Sequence, residues 1–192
     1  MPYFGLVLFF ILLDQFTKIW VKGFNLLGWN HEGFYLGESV TFIDGFIYFT
    51  FVENPGMAFG ISFGDGKIFL SLFSIVASIL LGILIYKIKN SHKAVLLGFS
   101  FIMAGATGNL IDRVFYGVFY NESPIFYGKV VDFIQFNIPD ISIGSLEFTH
   151  FPVFNVADSC VTIGLFILLF FQKHIPDFST SFSKKKNIDQ EQ

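Results

Sequence analysis

Four stretches of this chain approach or exceed the roughly 20 apolar residues that a membrane-spanning helix takes. They are 3–21, 68–86, 94–111 and 151–172. The last begins near Pro152, a residue suited to the first turn of a helix because its missing N–H is not needed there. Between the first two runs the period changes. Residues 46–52, Phe-Ile-Tyr-Phe-Thr-Phe-Val, are aromatic and β-branched, which favours a strand, and Glu53-Asn54-Pro55-Gly56 closes it with turn chemistry. Residues 23–40, punctuated by Gly28, Gly33 and Gly37, read as loop. The pattern predicts an all-α membrane protein of four transmembrane helices, with a small extracytoplasmic β-sheet element between helices one and two.

Composition agrees. Of the 192 residues, 53% are hydrophobic and 14% charged, against about 25% charged in an ordinary soluble domain. Mean hydropathy is +0.63. One integral membrane domain, 1–192, is expected. A net charge of −3 lends nothing to nucleic-acid binding, and the lone Cys160 excludes an intrachain disulfide framework. The first apolar run lacks a basic leader and is interrupted by Asp14 and Lys18, so it reads as a retained helix. Lys87, Lys89 and Lys93 lie in the short link after the second run, and Lys173, Lys184, Lys185 and Lys186 in the tail 173–192. Positive residues stay cytoplasmic. Both termini are therefore expected inside, with loops 22–67 and 112–150 outside.

Ionisable groups at a membrane boundary are costly and are read first as functional. Asp158 lies near the start of the fourth run and Asp132 in the segment leading to it. Two carboxylates brought together share a proton, the chemistry of an aspartic protease. Asp14 and Lys18, four apart, share a helix face and suit a buried ion pair. Asn109, Asp112 and Arg113 form a polar face at the end of the third run, and Ala104 with Gly108 permits close helix packing. Asp112 competes with Asp132 for a catalytic role on these grounds. Asn155 shares a face with Asp158 and could orient it. His31, His92, His150 and His174 are scattered, with no zinc-binding pattern, so no metal or other cofactor is expected. A proton-coupled transporter is the rival reading. It calls for internal repeats and a polar path across the full thickness, whereas these polar residues gather toward one side.

Five blocks together resemble the lipoprotein signal peptidases, the signal peptidase II family of intramembrane aspartic endopeptidases. They are Asp14-Gln15-x-Thr17-Lys18, Asn54-x-Gly56-x-Ala58-Phe59, Gly108-Asn109-x-x-Asp112-Arg113, Val130-Val131-Asp132-Phe133 and Phe154-Asn155-x-Ala157-Asp158-Ser159. The resemblance implies that Asp132 and Asp158 are the catalytic pair. It also implies that Asp14, Lys18, Asn54, Gly56, Asn109, Asp112, Arg113 and Asn155 bind substrate or support the site. The implied substrate is a diacylglyceryl-prolipoprotein, met within membrane lipid and cut before the lipidated Cys. The implied location is the bacterial cytoplasmic (inner) membrane, with the site toward the outer face and the enzyme working as a monomer. Residues 23–40 and the interval from Asp132 to Asp158 are longer than the resemblance leads one to expect.

Overall fold

The computed structural model describes residues 2–26, 28–56, 67–143 and 146–177, and side chains within these except at 67 and 139–150. Helix α1 (Pro2–Lys22) is followed by two short strands, β1 (Phe24–Leu26) and β2 (Trp29–His31). Strands β3 (Ser39–Ile43) and β4 (Ile47–Asn54) precede α2 (Lys67–Lys87) and α3 (Lys93–Ile111). The third helix continues through a π-helical turn, Asp112–Tyr116, into a short α4 (Gly117–Phe119). Strands β5 (Val130–Ile143) and β6 (Leu146–His150) then lead to α5 (Val156–Phe170) and a 3₁₀ turn at Gln172–His174.

Three spans, Pro2–Lys22, Ile68–Lys87 and Lys93–Phe119, are long and apolar enough to cross a membrane by length and composition, and Val156–Phe170 is a shorter apolar helix. The large apolar side chains of these helices point outward in number, among them Phe9, Phe16, Phe69, Phe73 and Phe170. That inversion suits helices solvated by lipid, where no hydrophobic force drives such residues inward. Much of what α3 and α5 pack between them is small, including Ala104, Gly105, Gly108, Ala157 and Gly164. A Cβ on Gly105 of α3 would stand 2.2 Å from the Ala157 carbonyl oxygen of α5, so only glycine lets these helices meet there.

The structure corrects four sequence expectations. The sheet is not confined to the segment between the first two helices. It is a four-stranded antiparallel sheet ordered β3-β4-β5-β6, half of it drawn from the second long connection. Residues 23–40 are not simply loop, since β1 and β2 pair as a hairpin and β3 begins at Ser39. The third helix does not stop at Ile111, because the π turn accommodates Asp112 and Arg113 and carries the axis on to Phe119. The fourth helix starts at Val156, not 151. Residues before it are extended, and Phe154 exchanges backbone hydrogen bonds with Ile134 of β5 (2.7 and 3.0 Å). Pro152 therefore lies outside the helix.

A core of Val21, Phe51, Tyr116, Val131 and Phe133 fastens the end of α1, β4, the π turn and β5 together. The sheet is thereby fixed over one end of the helices, where the polar residues gather.

Candidate active site

Sheet register and a helix start bring the two aspartates to one place. Val52 pairs with Asp132 and Asn54 with Val130. Asn54 is thus a diagonal cross-strand neighbour of Asp132, within side-chain reach, and its Nδ2 donates to Asp132 Oδ2 (3.1 Å). The Phe154 bridge ends the extended segment one residue before Asn155, which N-caps α5. Its side chain accepts from the Asp158 N–H (2.9 Å), while Asp158 Oδ2 accepts from the Asn155 N–H (3.2 Å). This capping box satisfies two backbone donors reciprocally. It also places Asp158 in the first turn of a helix, where negative charge is favoured.

Two amides link the aspartates. Asn155 Nδ2 donates to Asp132 Oδ1 (2.7 Å) and to Asn109 Oδ1 (3.0 Å). Asn109 Nδ2 in turn donates to Asp158 Oδ1 (2.8 Å). Asp132 is almost wholly buried and Asp158 partly so. Burial, reinforced by the charge of Asp158, pushes the Asp132 carboxyl up to about 7, against the opposing hydrogen bonds from Asn54 and Asn155. Asp158 also lines a cavity of about 490 Å³ between β5 and α5, whose walls include Ile134, Phe136, Phe154 and Thr162.

A second cluster lies beneath. Lys18 Nζ, fully buried, meets Asp14 Oδ2 at 2.9 Å, Asp112 Oδ2 at 2.8 Å and Asn109 Oδ1 at 2.8 Å. All three ammonium donors are used. Asp14 Oδ1 accepts from the Ala157 N–H (2.8 Å), so α1 caps a further orphan donor of α5. Asp112 is inaccessible, its oxygens taken by Gln15, Lys18 and the Val131 N–H (3.2 Å). Gly108 belongs here because a Cβ would come within 2.6 Å of the Asp14 carboxylate.

Of the residues singled out in the sequence, Asp132, Asp158, Asn54, Asn109 and Asn155 thus form one hydrogen-bonded group. Asp14, Lys18 and Asp112 form the group below it, joined through Asn109. Gly56, at φ +89°, donates its N–H to Asn54 Oδ1 (2.9 Å), which holds that amide toward Asp132. Arg113 lies within electrostatic reach of Asp112, Asp158 and Asp132, and its Nε is buried without a hydrogen-bond partner among the described residues. Ala58 and Phe59 lie outside the described residues.

Sequence reasoning missed the part played by Gln15. Its Nε2 donates to Asp14, Asp112 and the Gly108 carbonyl, and its Oε1 accepts from the Tyr116 hydroxyl (3.1 Å). The available signal was its place beside Asp14 in an apolar helix, where an amide is as conspicuous as a charge. Glu53, bridged by Lys22 and Lys129, was also overlooked. Burial raises its carboxyl, but hydrogen bonds from those lysines outweigh this and hold it below its ordinary value.

The model of a known family, signal peptidase (SPase) II, matches residues 6–173. The lipoprotein signal peptidase of Porphyromonas gingivalis is 38% identical, the alignment covering 86% of this chain and 80% of that one. The lipoprotein signal peptidase of Pelodictyon phaeoclathratiforme is 35% identical over 90% of each. A solved structure described as a bacterial membrane enzyme superposes with a TM-score of 0.66 at 28% identity, covering 91% of this chain and 94% of that one. With the match spanning nearly the whole chain, this protein belongs to the signal peptidase II family.

Proposed function

We propose that this chain is an aspartic endopeptidase that removes the signal peptide from diacylglyceryl-modified prolipoproteins, cutting before the lipidated Cys. The observation that carries the reading is the amide-bridged pair Asp132–Asn155–Asn109–Asp158, of which Asp158 lines the cavity between β5 and α5. Family membership supports signal-peptide removal from prolipoproteins, and the pair supplies the chemistry.

The two carboxyls stand in different environments, which divides the roles between them. Asp158, at a helix N-terminus and partly exposed, begins as the ionised base. Asp132, buried and holding its proton up to about pH 7, begins as the acid. A water between them gives a proton to Asp158 as its oxygen attacks the scissile carbonyl carbon. Asp132 donates its proton toward the carbonyl oxygen as that oxygen gains charge. The tetrahedral diol then collapses. The nitrogen leaves with the proton held by Asp158, and Asp132 recovers its own from the diol hydroxyl. Both residues return to their starting states.

Arg113 adds positive potential beside the pair. The Asp14–Lys18–Asp112 cluster holds α1, α3 and α5 in register under it. The chain sits in the bacterial inner membrane as a single domain with four spans, both termini cytoplasmic and the sheet and dyad at the outer face. Substrate arrives laterally, anchored by acyl chains whose burial is worth about 0.8 kcal/mol per CH₂.

The test is cleavage of a defined lipidated precursor by purified protein, reported per folded molecule. Asp158→Asn and Asp132→Asn should each nearly abolish turnover, and the double variant should be little worse, since residues acting as one unit are non-additive. Asp112→Asn should lower thermal stability at least as much as turnover. Substantial turnover in Asp132→Asn, or equal cleavage of lipidated and unlipidated precursors, would overturn the reading.

A further inference from the structure

The hairpin that follows α1 plays no part in the chemistry above, yet it is held firmly. His31 Nε2 lies 2.9 Å from the Trp20 carbonyl oxygen, and the Phe34 N–H donates to the Val21 carbonyl (2.8 Å). The Trp20 ring packs against Phe34 with centroids 5.5 Å apart. Gly23, at φ +81°, lets the chain reverse at the helix end, and a Cβ there would stand 2.5 Å from the Gly33 nitrogen. These contacts make the hairpin a rigid extension of the last turn of α1.

Besides Asn25, Asn30 and Glu32, the hairpin and the residues that follow it to Leu36 expose several large apolar side chains. Trp29 is 77% exposed, Tyr35 80% and Leu36 67%, with Leu26 also exposed. Across 24–36 the ionisable side chains are His31, Glu32 and Tyr35, so the surface carries little charge. A cluster of large exposed apolar residues marks an interaction surface. Its position says which kind. Exposed Phe9, Leu12, Phe16 and Trp20 recur at helical spacing and form one outward stripe on α1, a helix long and apolar enough to span a membrane. The stripe ends at Trp20, against which the hairpin packs. Its apolar surface therefore continues the lipid-facing side of α1 at the level where a spanning helix emerges, the depth that Trp and Tyr prefer.

We propose that the 24–36 hairpin is a membrane-surface anchor, seating Trp29, Leu26 and Leu36 among the headgroups and upper acyl chains of the leaflet at the C-terminal end of α1. With so little charge it recognises neutral lipid by apolar burial, and anionic headgroups are not required. Because it is rigidly joined to α1, the anchor also sets depth. Asp14 lies six residues before Trp20, about 9 Å along the helix, so the polar cluster is held a fixed distance below the headgroups.

The chain has two tryptophans, which makes the test direct. Trp20→Phe leaves Trp29 as the sole reporter in the full chain, reconstituted in phosphatidylcholine vesicles. The spectrum of Trp29→Ser, subtracted from that of the unsubstituted protein, gives the same information without altering α1. Trp29 emission should lie to the blue of a hydrated indole. It should be lost when the vesicle lipid is brominated near the headgroup, and stay protected from aqueous iodide. Iodide quenching with no effect of brominated lipid would overturn the proposal. So would blue-shifted emission that ignores brominated lipid and varies with protein density, because the surface would then be covered by a second copy of the chain.

Discussion

Replacing Asp132 with asparagine should make the protein gain stability, relative to the unsubstituted chain, as pH rises. In the unfolded chain this carboxyl loses its proton near 3.8, whereas in the folded protein it holds the proton up to about 7. Between those values the folded state binds more protons, so stability falls as pH rises, and the loss is complete by about pH 7 to 8. One pKa unit corresponds to about 1.4 kcal/mol, which puts the full penalty near 4 kcal/mol. Between pH 5 and pH 8 roughly 2–3 kcal/mol of it accrues, or about 5–10 °C in Tm for a chain of this size. Asparagine cannot ionise, so the variant lacks this slope. It carries its own cost, because both Asp132 oxygens now accept from amide donors, Asn54 and Asn155, and the asparagine NH₂ must face one of them. That cost is the same at every pH and drops out of the comparison. The assay is thermal unfolding of both proteins in detergent at intervals from pH 5 to 8. A Tm difference that stays constant, or that moves in favour of the unsubstituted protein with rising pH, would refute the assignment of the raised carboxyl to Asp132.

The same proton sets the activity profile. In the proposed mechanism turnover on a lipidated precursor should decline as pH rises through about 7, where Asp132 loses the proton it would donate, and a rate still climbing at pH 8 would contradict the acid role. Lys18→Met should cost about 3–5 kcal/mol, because Asp14 and Asp112 would remain buried without their shared cation. Melting curves or yield of inserted protein would show it. Gly105→Ala should destabilise by at least about 1–3 kcal/mol by driving α3 off α5 at Ala157. Since α5 carries Asp158, turnover per folded molecule should fall with it, and a variant with unchanged Tm and turnover would show that the helices need not approach so closely.

The sequence made the helices visible wherever hydropathy had enough length to speak, and lost them where it did not. Residues 151–154 are as apolar as the helix that follows, but they extend along β5, and a short apolar run does not distinguish a buried extended segment from a helix. At the other boundary, Asp112 and Arg113 looked like an end because charges usually close a span. The π turn keeps the axis going and buries Asp112 against Lys18 and Gln15. Asp132 and Asp158 were legible as boundary carboxylates. Local pattern does not separate Asp112 from Asp132, because they differ in which oxygens are already occupied. Asp112 meets an ammonium, an amide and a backbone N–H, while Asp132 meets two side-chain amides. Those partners come from segments far apart in the chain, and no spacing rule joins them.

The kind of partner matters as much as the number. Four carboxylates, Asp14, Asp112, Asp132 and Asp158, gather near two cations. Lys18 pairs with Asp14 and Asp112 and gives its third donor to Asn109, and among the described residues neither Asp132 nor Asp158 forms an ion pair. A lysine or arginine bonded to either would hold it as an anion and end its use as an acid. Asn54, Asn155 and Asn109 orient the carboxyls without fixing their charge, since an amide N–H can donate to a protonated or an ionised carboxyl oxygen. The lower cluster still reaches the upper one through Asn109, whose oxygen accepts from Lys18 while its nitrogen donates to Asp158. Polarising the amide from one side strengthens its donation on the other. The buried cation thus steadies the amide that orients Asp158, while burial lets Asp132 keep its proton up to about pH 7, the condition that the proposed water-activating pair requires.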